Sequence, residues 1–490
     1  MGREGHWGDE ILDRRAENED WSSQMRAAAT DGAAAFWAEL GRIHQGIELL
    51  TADPDVYRSF QMMNEAMRIS SGPKGYTSWR PFQIGFLLAN LNSTSAAGAD
   101  VEVADIVWFA TGGGKTETYL GLLVTAAFHD RITEKLGGIT AWSRFPLRML
   151  SLQQTQRFAD AFAAAELVRT THNVGGEPFS VGFFVGAGAT PNEVKEHPNE
   201  GDFDPDDDQQ VAASRVLLDC PFCHAAVDMA FNHRLWTLEH RCSNSDCPWT
   251  DQGLPFYIVD SEIYRFLPTV VVGTLDKAAT IAWQAAMRGF VGGPHSDAVQ
   301  KLDMATPTPT DRDEITDVLC RDAMDRASHL TLIRRDTRPR SDCRTNCTCS
   351  RTASVPSTPT TKPLFDGIQE ELSGTMPKIL ASSATLAGFE EQTEALYRRS
   401  ARVFPAPGPA PGQGFWTKDT ISTARRFVGI APRGLTTEFA VDRIVTTLQE
   451  SIRQFAADPI SIATHAVLRG KGICVCRGLD TASRSRSVLP

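Results

Sequence analysis

Two groups of residues in this chain of 490 have the types and spacing that chemistry requires. The first is Thr111-Gly-Gly-Gly-Lys-Thr116, a glycine turn closed by Lys-Thr. Gly112, Gly113 and Gly114 would let backbone N–H groups close around phosphates, with the following helix dipole favouring the negative charge. Lys115 would neutralise the β- and γ-phosphates of a nucleotide such as ATP, and the Thr116 hydroxyl would hold Mg²⁺. The second is Cys220-Pro-Phe-Cys223, then eighteen residues, then Cys242 and, after four more, Cys247. Two short cysteine pairs at this separation match a zinc ribbon, and four thiolates leave no open position for a catalytic water. The Zn²⁺ there should be structural, contributing on the order of 10 kcal/mol to local folding.

Both groups need elements to position them. Asp105–Ala110 reads as a strand running into the glycine turn, and Glu117–Phe128 as the helix leaving it. Further apolar runs at Ile139–Phe145, Phe179–Val185, Thr269–Val272 and Ile379–Ala381 alternate with helical stretches, which predicts an α/β fold with a parallel sheet covered on both faces. Residues 1–75 read as helical: Phe36, Leu40, Ile43, Ile47 and Leu50 form one stripe, and Val56, Phe60, Met63 and Met67 another. The acidic stretch Glu193–Asp208 reads as a solvated loop before the inserted ribbon (215–255). Pro405-Ala-Pro-Gly-Pro-Ala-Pro-Gly412 reads as a stiff linker, with Arg426-Phe-Val-Gly-Ile430 opening a further sheet. Net charge is −11, so any nucleic-acid binding must use a local basic groove and be salt-sensitive. Apolar runs are too short for a membrane span and the N-terminus lacks a signal core, so the expected location is cytoplasmic. In that compartment ten cysteines point to metal or free thiols rather than disulfides.

The T-G-x-G-K-T form of the loop, with Phe109 where the longer pattern has Gly, resembles superfamily-2 helicases. Trp79-Arg-Pro-Phe-Gln83 resembles their glutamine motif, which implies that Gln83 reads adenine. Phe145-Pro-Leu-Arg-Met-Leu-Ser-Leu-Gln153 and Val270-Val-Val-Gly-Thr-Leu-Asp-Lys277 resemble the motifs that grip a nucleic-acid backbone, implying phosphate contacts from Arg148 and Thr274. Lys378–Leu386 carries Ser383-Ala-Thr385, which in that family couples hydrolysis to movement. More narrowly, Phe179–Asn192, the ribbon, Gly253-Leu-Pro and Ile263-Tyr-Arg-Phe-Leu-Pro268 resemble the DrmA helicase family of the DISARM anti-phage systems, over roughly 55–330 and 363–450. The resemblance implies a RecA-like P-loop domain over 76–400, activity as an ATP-dependent DNA helicase or translocase, and company from other phage-defence subunits. It also implies a longer protein, with 401–490 only a linker and the start of a second RecA-like domain.

Such an ATPase needs a Walker B acid between Thr274 and Ser383. Asp313-Glu-Ile-Thr316 lies in a polar stretch, and Asp260 with Glu262 follows an apolar run but precedes Thr274. The expected place is filled by 334–362, rich in Arg, Thr, Ser, Pro and Cys. Its arginines at 334, 335, 338, 340, 344 and 351 could form a basic arm, making the chain a non-catalytic ATP- and DNA-binding subunit. The reading we favour is a frame shift. Codons consistent with Arg344–Lys362, read two bases forward, give Asp-Glu-Leu-His-Leu-Leu-Ala-Asp-Gly-Ile-Gly-Ala-Phe-Asp-Ala-His-Tyr-Glu, which opens with the D-E-x-H box. Cys343, Cys347 and Cys349 would then be accidents, no catalytic residue would be intact, and hydrolysis would be severely reduced. The tail from Lys471 could be a second out-of-frame end.

Overall fold

The computed structural model describes residues 16–18, 20–72, 75–95, 100–109, 113–133, 135–145, 148–186, 190–274, 277, 287, 290, 341–345, 377–383, 389–406, 416 and 436–457. Two compact units divide the chain, Met1–Asp419 and Thr420–Pro490.

After a helical stretch at 16–18, the described residues of the first unit continue with α1 (Ser23–Ala52), α2 (Pro54–Ser71) and α3 (Pro81–Ser95). It continues with β1 (Val103–Trp108), α4 (Lys115–Ile132), β2 (Ala141–Phe145), α5 (Arg148–Thr171) and β3 (Val181–Phe184). Next come α6 (Asp208–Ala213), β4 (Val227–Asn232), β5 (Thr237–Cys242), β6 (Phe256–Tyr257), α7 (Asp260–Phe266) and β7 (Val270–Thr274). The unit closes with β8 (Ser341–Thr345), β9 (Lys378–Ser383), α8 (Phe389–Tyr397) and β10 (Ser400–Phe404).

Eight strands form one sheet in the order β10-β1-β9-β8-β2-β7-β3-β6, and every pairing in it is parallel. The apolar runs alternate between its faces. Val270 and Val272 join one core cluster with helices α2–α5, while Val271 joins another with Ile263, Tyr264, Met287 and Phe290. Phe183 and Phe184, and Ala141 and Trp142, divide the same way. Covering both faces leaves no solvated side for polar alternation, which is why these strands are continuous apolar runs. The runs expected as strands within the described residues, at β1, β2, β3, β7 and β9, are strands.

Parallel pairing aligns the strand ends. Trp108 stands opposite Ser383, Thr345 opposite Ser382, and Phe145 opposite Thr274, all at the carboxyl edge. The chain leaves β1 for β2 on one side, yet β10 returns on the other, so the strand order reverses at β1. A crevice outside such a reversal is where open parallel sheets bind ligands.

Two expectations are corrected. Residues 400–404 pair with β1, so the first unit runs to Asp419 instead of giving way to a linker at 401. Helix α1 buries Ala29, Ala33, Phe36, Glu39 and Gly46, while Ile47 is 44% exposed, so its contact face is rotated from the apolar stripe. The cause is close packing: a Cβ on Gly46 would lie 2.0 Å from the Leu88 carbonyl oxygen of α3. Glu39 is buried because it accepts the Trp416 indole N–H at 2.7 Å and the Ala406 N–H at 2.6 Å. Helix α2 follows its stripe, with Val56, Met63 and Met67 buried.

Asp105 of β1 is wholly buried and faces Arg42 at 3.0 Å, Lys378 at 2.6 Å and Arg402 at 2.7 Å. Burial opposes its charge, but Lys378, Arg402 and Arg42 outweigh it and hold the carboxyl below the usual carboxylate range. In the second unit the described residues form one amphipathic helix, α9 (Thr437–Ala457). Residues 426–430, the expected opening of a further sheet, lie outside the described residues. No described helix is long and apolar enough to cross a membrane.

Asp105→Asn should destabilise the first unit by about 3–5 kcal/mol, because three cations lose a shared buried partner. Urea unfolding followed by tryptophan fluorescence measures this, and a loss below about 1 kcal/mol would make the cluster incidental. The depressed pKa sets the sign with pH. The Asp105 contribution is complete above the ordinary carboxylate pKa and disappears as pH falls through the depressed value.

Candidate nucleotide and metal sites

Strand β1 ends at Trp108 and helix α4 starts at Lys115, with Gly114 as its N-cap at φ +93°. A side chain is strained at that angle, and a Cβ there would lie 2.7 Å from Gln83 Nε2. Gln83 is buried and donates to the Gly114 carbonyl at 2.8 Å, while its Oε1 accepts the Arg80 N–H at 2.8 Å. The Arg80 guanidinium donates to the Gly113 carbonyl at 2.7 Å. Helix α3 and Arg80, the residue before it, thus hold the Gly113 and Gly114 carbonyls. Phe109, at the position where the longer pattern has Gly, stacks on Phe82 with ring centroids 3.8 Å apart. That contact fixes the strand end against α3 one residue before Gln83. The Lys115 ammonium bonds back to the Phe109 carbonyl, and burial lowers its pKa. Thr111 and Gly112 lie outside the described residues.

Helix α5 supplies polar groups that sequence reasoning missed. Arg157 donates to Thr116 Oγ1 at 2.9 Å and pairs with Glu117, and Thr116 donates to Gln154 Oε1 at 3.3 Å. Residues 154 and 157 share a helix face, a spacing that in sequence looks like any solvated surface. Arg148 opens α5, but its side chain lies outside the described residues. Thr274 ends β7 with a buried hydroxyl that has no hydrogen-bond partner among the described residues. Ser383 ends β9, described by backbone alone, and Thr385 lies outside, as do Asp313–Thr316 and the arginines at 334, 335, 338, 340 and 351. Arg344 is described only as backbone in β8.

Asp260 follows β6, the edge strand, six strand spacings from β1 or about 29 Å. It pairs with Lys277, yet burial still pushes its carboxyl up to about 6. Glu262 is buried, accepts the Leu238 N–H at 2.7 Å, and is pushed up to about 8 by burial. Both carboxylates therefore join α7 to its surroundings rather than serving the glycine turn.

The four cysteines converge. Strands β4 and β5 form an antiparallel hairpin in which Val227 faces Cys242, bringing the two cysteine turns together. Cys220, Cys223, Cys242 and Cys247 place their sulfurs within 4.8 Å of one another. Tetrahedral Zn²⁺ with bonds of about 2.3 Å needs sulfurs roughly 3.8 Å apart, so the donor set fits. Burial raises the Cys220 and Cys247 thiols. Cys223 is also opposed by burial, but hydrogen bonds from the Ala225 N–H and Cys242 bring it to about 7. His224, at φ +61°, shapes the first turn by donating its N–H to the Cys220 carbonyl at 2.8 Å. The hairpin is anchored through His240, which is fully buried and held neutral by burial and by Arg215; the His240 Nε2 accepts the Val216 N–H at 3.1 Å.

These features define a parallel α/β protein with a glycine turn at the carboxyl edge of its sheet and a four-cysteine centre suited to zinc. No protein-family model matches the chain. Over 294 residues it is 32% identical to the DISARM protein DrmA of Bacillus paralicheniformis (strain ATCC 9945a / NCIMB 11709 / CD-2), covering 52% of this chain and 26% of that protein. The chain is similar to DrmA through that stretch, which spans about a quarter of the length of that protein.

The purified chain should carry one Zn²⁺, read by metal analysis, and Cys220→Ser should release it and unfold the hairpin; full retention in that variant would exclude the four-thiolate site. Glu262 supplies a pH-dependent signature. Its folded pKa is raised, so its contribution is complete below the ordinary Glu value and lost as pH rises towards 8. Glu262→Gln keeps an acceptor for Leu238, so its stability relative to wild type should rise between pH 5 and pH 8. A difference flat with pH would mean that Glu262 ionises normally.

Proposed function

We propose that this chain is the nucleotide-binding part of an ATP-driven DNA helicase or translocase of superfamily 2, acting in anti-phage defence beside other subunits. The observation that carries the reading is the passage from β1 through a left-handed Gly114 into α4, at the carboxyl edge of a parallel sheet. Phosphates there would meet the N–H groups of Thr111–Gly114, the α4 dipole and the Lys115 ammonium, which would leave the Phe109 carbonyl for them. Gln83 would read adenine with the amide capacity left over from Gly114 and Arg80. The Thr116 hydroxyl is a hard oxygen donor that suits Mg²⁺, which when bound would neutralise phosphate charge. Arg148 and Thr274 would hold DNA phosphates, with Ser383 and Thr385 linking the nucleotide to that grip.

Hydrolysis is expected to be impaired. The water-activating acid should end a strand close to β1, and β8 ends one strand beyond β9, with Arg344 and Thr345 as its last residues. Those are the two residues that the shifted frame converts to Asp-Glu, a coincidence of position that supports the frame-shift reading. The alternative, a non-catalytic ATP- and DNA-binding subunit, uses the same arginines as a basic arm.

Fluorescent-ATP binding should be measurable for the chain as it stands and at least tenfold weaker in Lys115→Ala. Hydrolysis should stay near background even with DNA, and restoring the frame across codons 344–362 should raise it. Robust DNA-stimulated hydrolysis by the unaltered chain would overturn the impairment. DNA affinity that falls, with a shallower salt slope, when Arg338, Arg340 and Arg344 are replaced would favour the basic-arm reading.

A further inference from the structure

Arg157 approaches Thr116, whose hydroxyl suits a divalent cation. Its guanidinium donates to Thr116 Oγ1 at 2.9 Å and to Gln154 Oε1 at 3.3 Å, and pairs with Glu117. The Thr116 proton is directed at Gln154, so Arg157 takes one of the two hydroxyl lone pairs. A Mg²⁺ held by that oxygen would meet the guanidinium that already occupies it. Two cations that close repel, and one must yield. Stability alone does not account for the arrangement. The Arg157 and Glu117 side chains are 31% and 18% exposed, so solvent still reaches the pair and screens part of what it contributes to folding.

We propose that Arg157 is a resident cation of the phosphate loop, holding the Mg²⁺-ligating hydroxyl until Mg²⁺-nucleotide displaces it towards Glu117. The proposal rests on the phosphate-loop reading above. Displacement acts on α5, because Gln154 and Arg157 stand one turn apart on it. Gln156 of the same turn donates to the Asp219 carbonyl at 2.9 Å, the residue before Cys220. Helix α5 therefore joins the Mg²⁺ ligand to the base of the cysteine hairpin, and Arg157 is the positioning residue between them.

The test is equilibrium binding of a fluorescent ATP analogue to the full chain, with Mg²⁺ and in Mg²⁺-free buffer without chelator, so that zinc stays bound. In Arg157→Gln, Mg²⁺-free affinity should fall about tenfold, because a positive charge beside the phosphates is lost. The Mg²⁺ concentration for half-maximal binding should fall by about three- to tenfold, because the competing cation is gone. Arg157→Lys should keep the Mg²⁺-free affinity. Opposite shifts in the two conditions are the signature that a structural defect cannot produce. Weakening by one factor in both conditions, or no change in either, overturns the proposal. If wild type binds nucleotide and Lys115→Ala does not, such a result sinks the role of Arg157 alone. If wild type and Lys115→Ala are equally inert, the phosphate-loop reading fails and this inference with it.

Discussion

Asp105 is a carboxylate without access to water, and three cations from α1, β9 and β10 converge on it. The desolvation of four charged groups is tolerable only because each meets its partner at hydrogen-bonding distance. The geometry of that contact holds β1 between β9 and β10 and presses α1 onto them. Slipping any of these strands by one residue would carry an ion into the apolar layer. The cluster therefore sets the register that brings Trp108 level with Ser383. Positions of residues at the carboxyl edge follow from a salt-bridge cluster placed well below it.

The glycine turn is shaped from outside the sheet. A free loop of three glycines would sample many conformations, and ordering it costs more per residue than ordering any other type. Helix α3 offsets that cost with Gln83 and Arg80 on two consecutive carbonyls, and with Phe82 stacked on Phe109. Preorganisation of this kind leaves less ordering to be done when a ligand arrives. Helix α5 approaches from the opposite flank through Thr116 and Glu117. Two helices thus converge on the beginning of a third, with guanidinium groups from Arg80, just before α3, and from Arg157 of α5.

Legibility in the sequence divides along the range of the interactions. Strand runs such as Val270–Val272 announced themselves because burial on both faces removes polar alternation. The cysteine pairs did so because metal ligands must come as specific types at short spacing. The partners Asp105, Lys378 and Arg402 are hundreds of positions apart in the chain, and nothing local marks a charged residue as buried. Arg80 lay within a recognised segment, yet only its neighbour Gln83 drew notice. Arg157 and Gln154 have the spacing of an ordinary hydrated helix face. The stripe on α1 misled because Gly46 gains its contact through the absence of a side chain, and hydrophobic patterning does not register an absence.

Strand order bears on a question that linear order left open. Two candidate acids precede the segment 334–362 where the Walker B acid is expected, Asp260 before Thr274 and Asp313 after it. Asp260 follows β6, at the far edge of the sheet, where its carboxylate pairs with Lys277. No rearrangement short of refolding the sheet brings it to β1. Strand β8 stands in the interior of the sheet, paired on one side with β9 and on the other with β2. An interior parallel strand is normally apolar throughout, because both its faces are covered. Ser341-Asp-Cys-Arg-Thr345 is polar at four of its five positions, a composition at odds with its place in the fold. A strand whose neighbours demand apolar residues, and whose own residues do not supply them, is what a local loss of reading frame would leave behind.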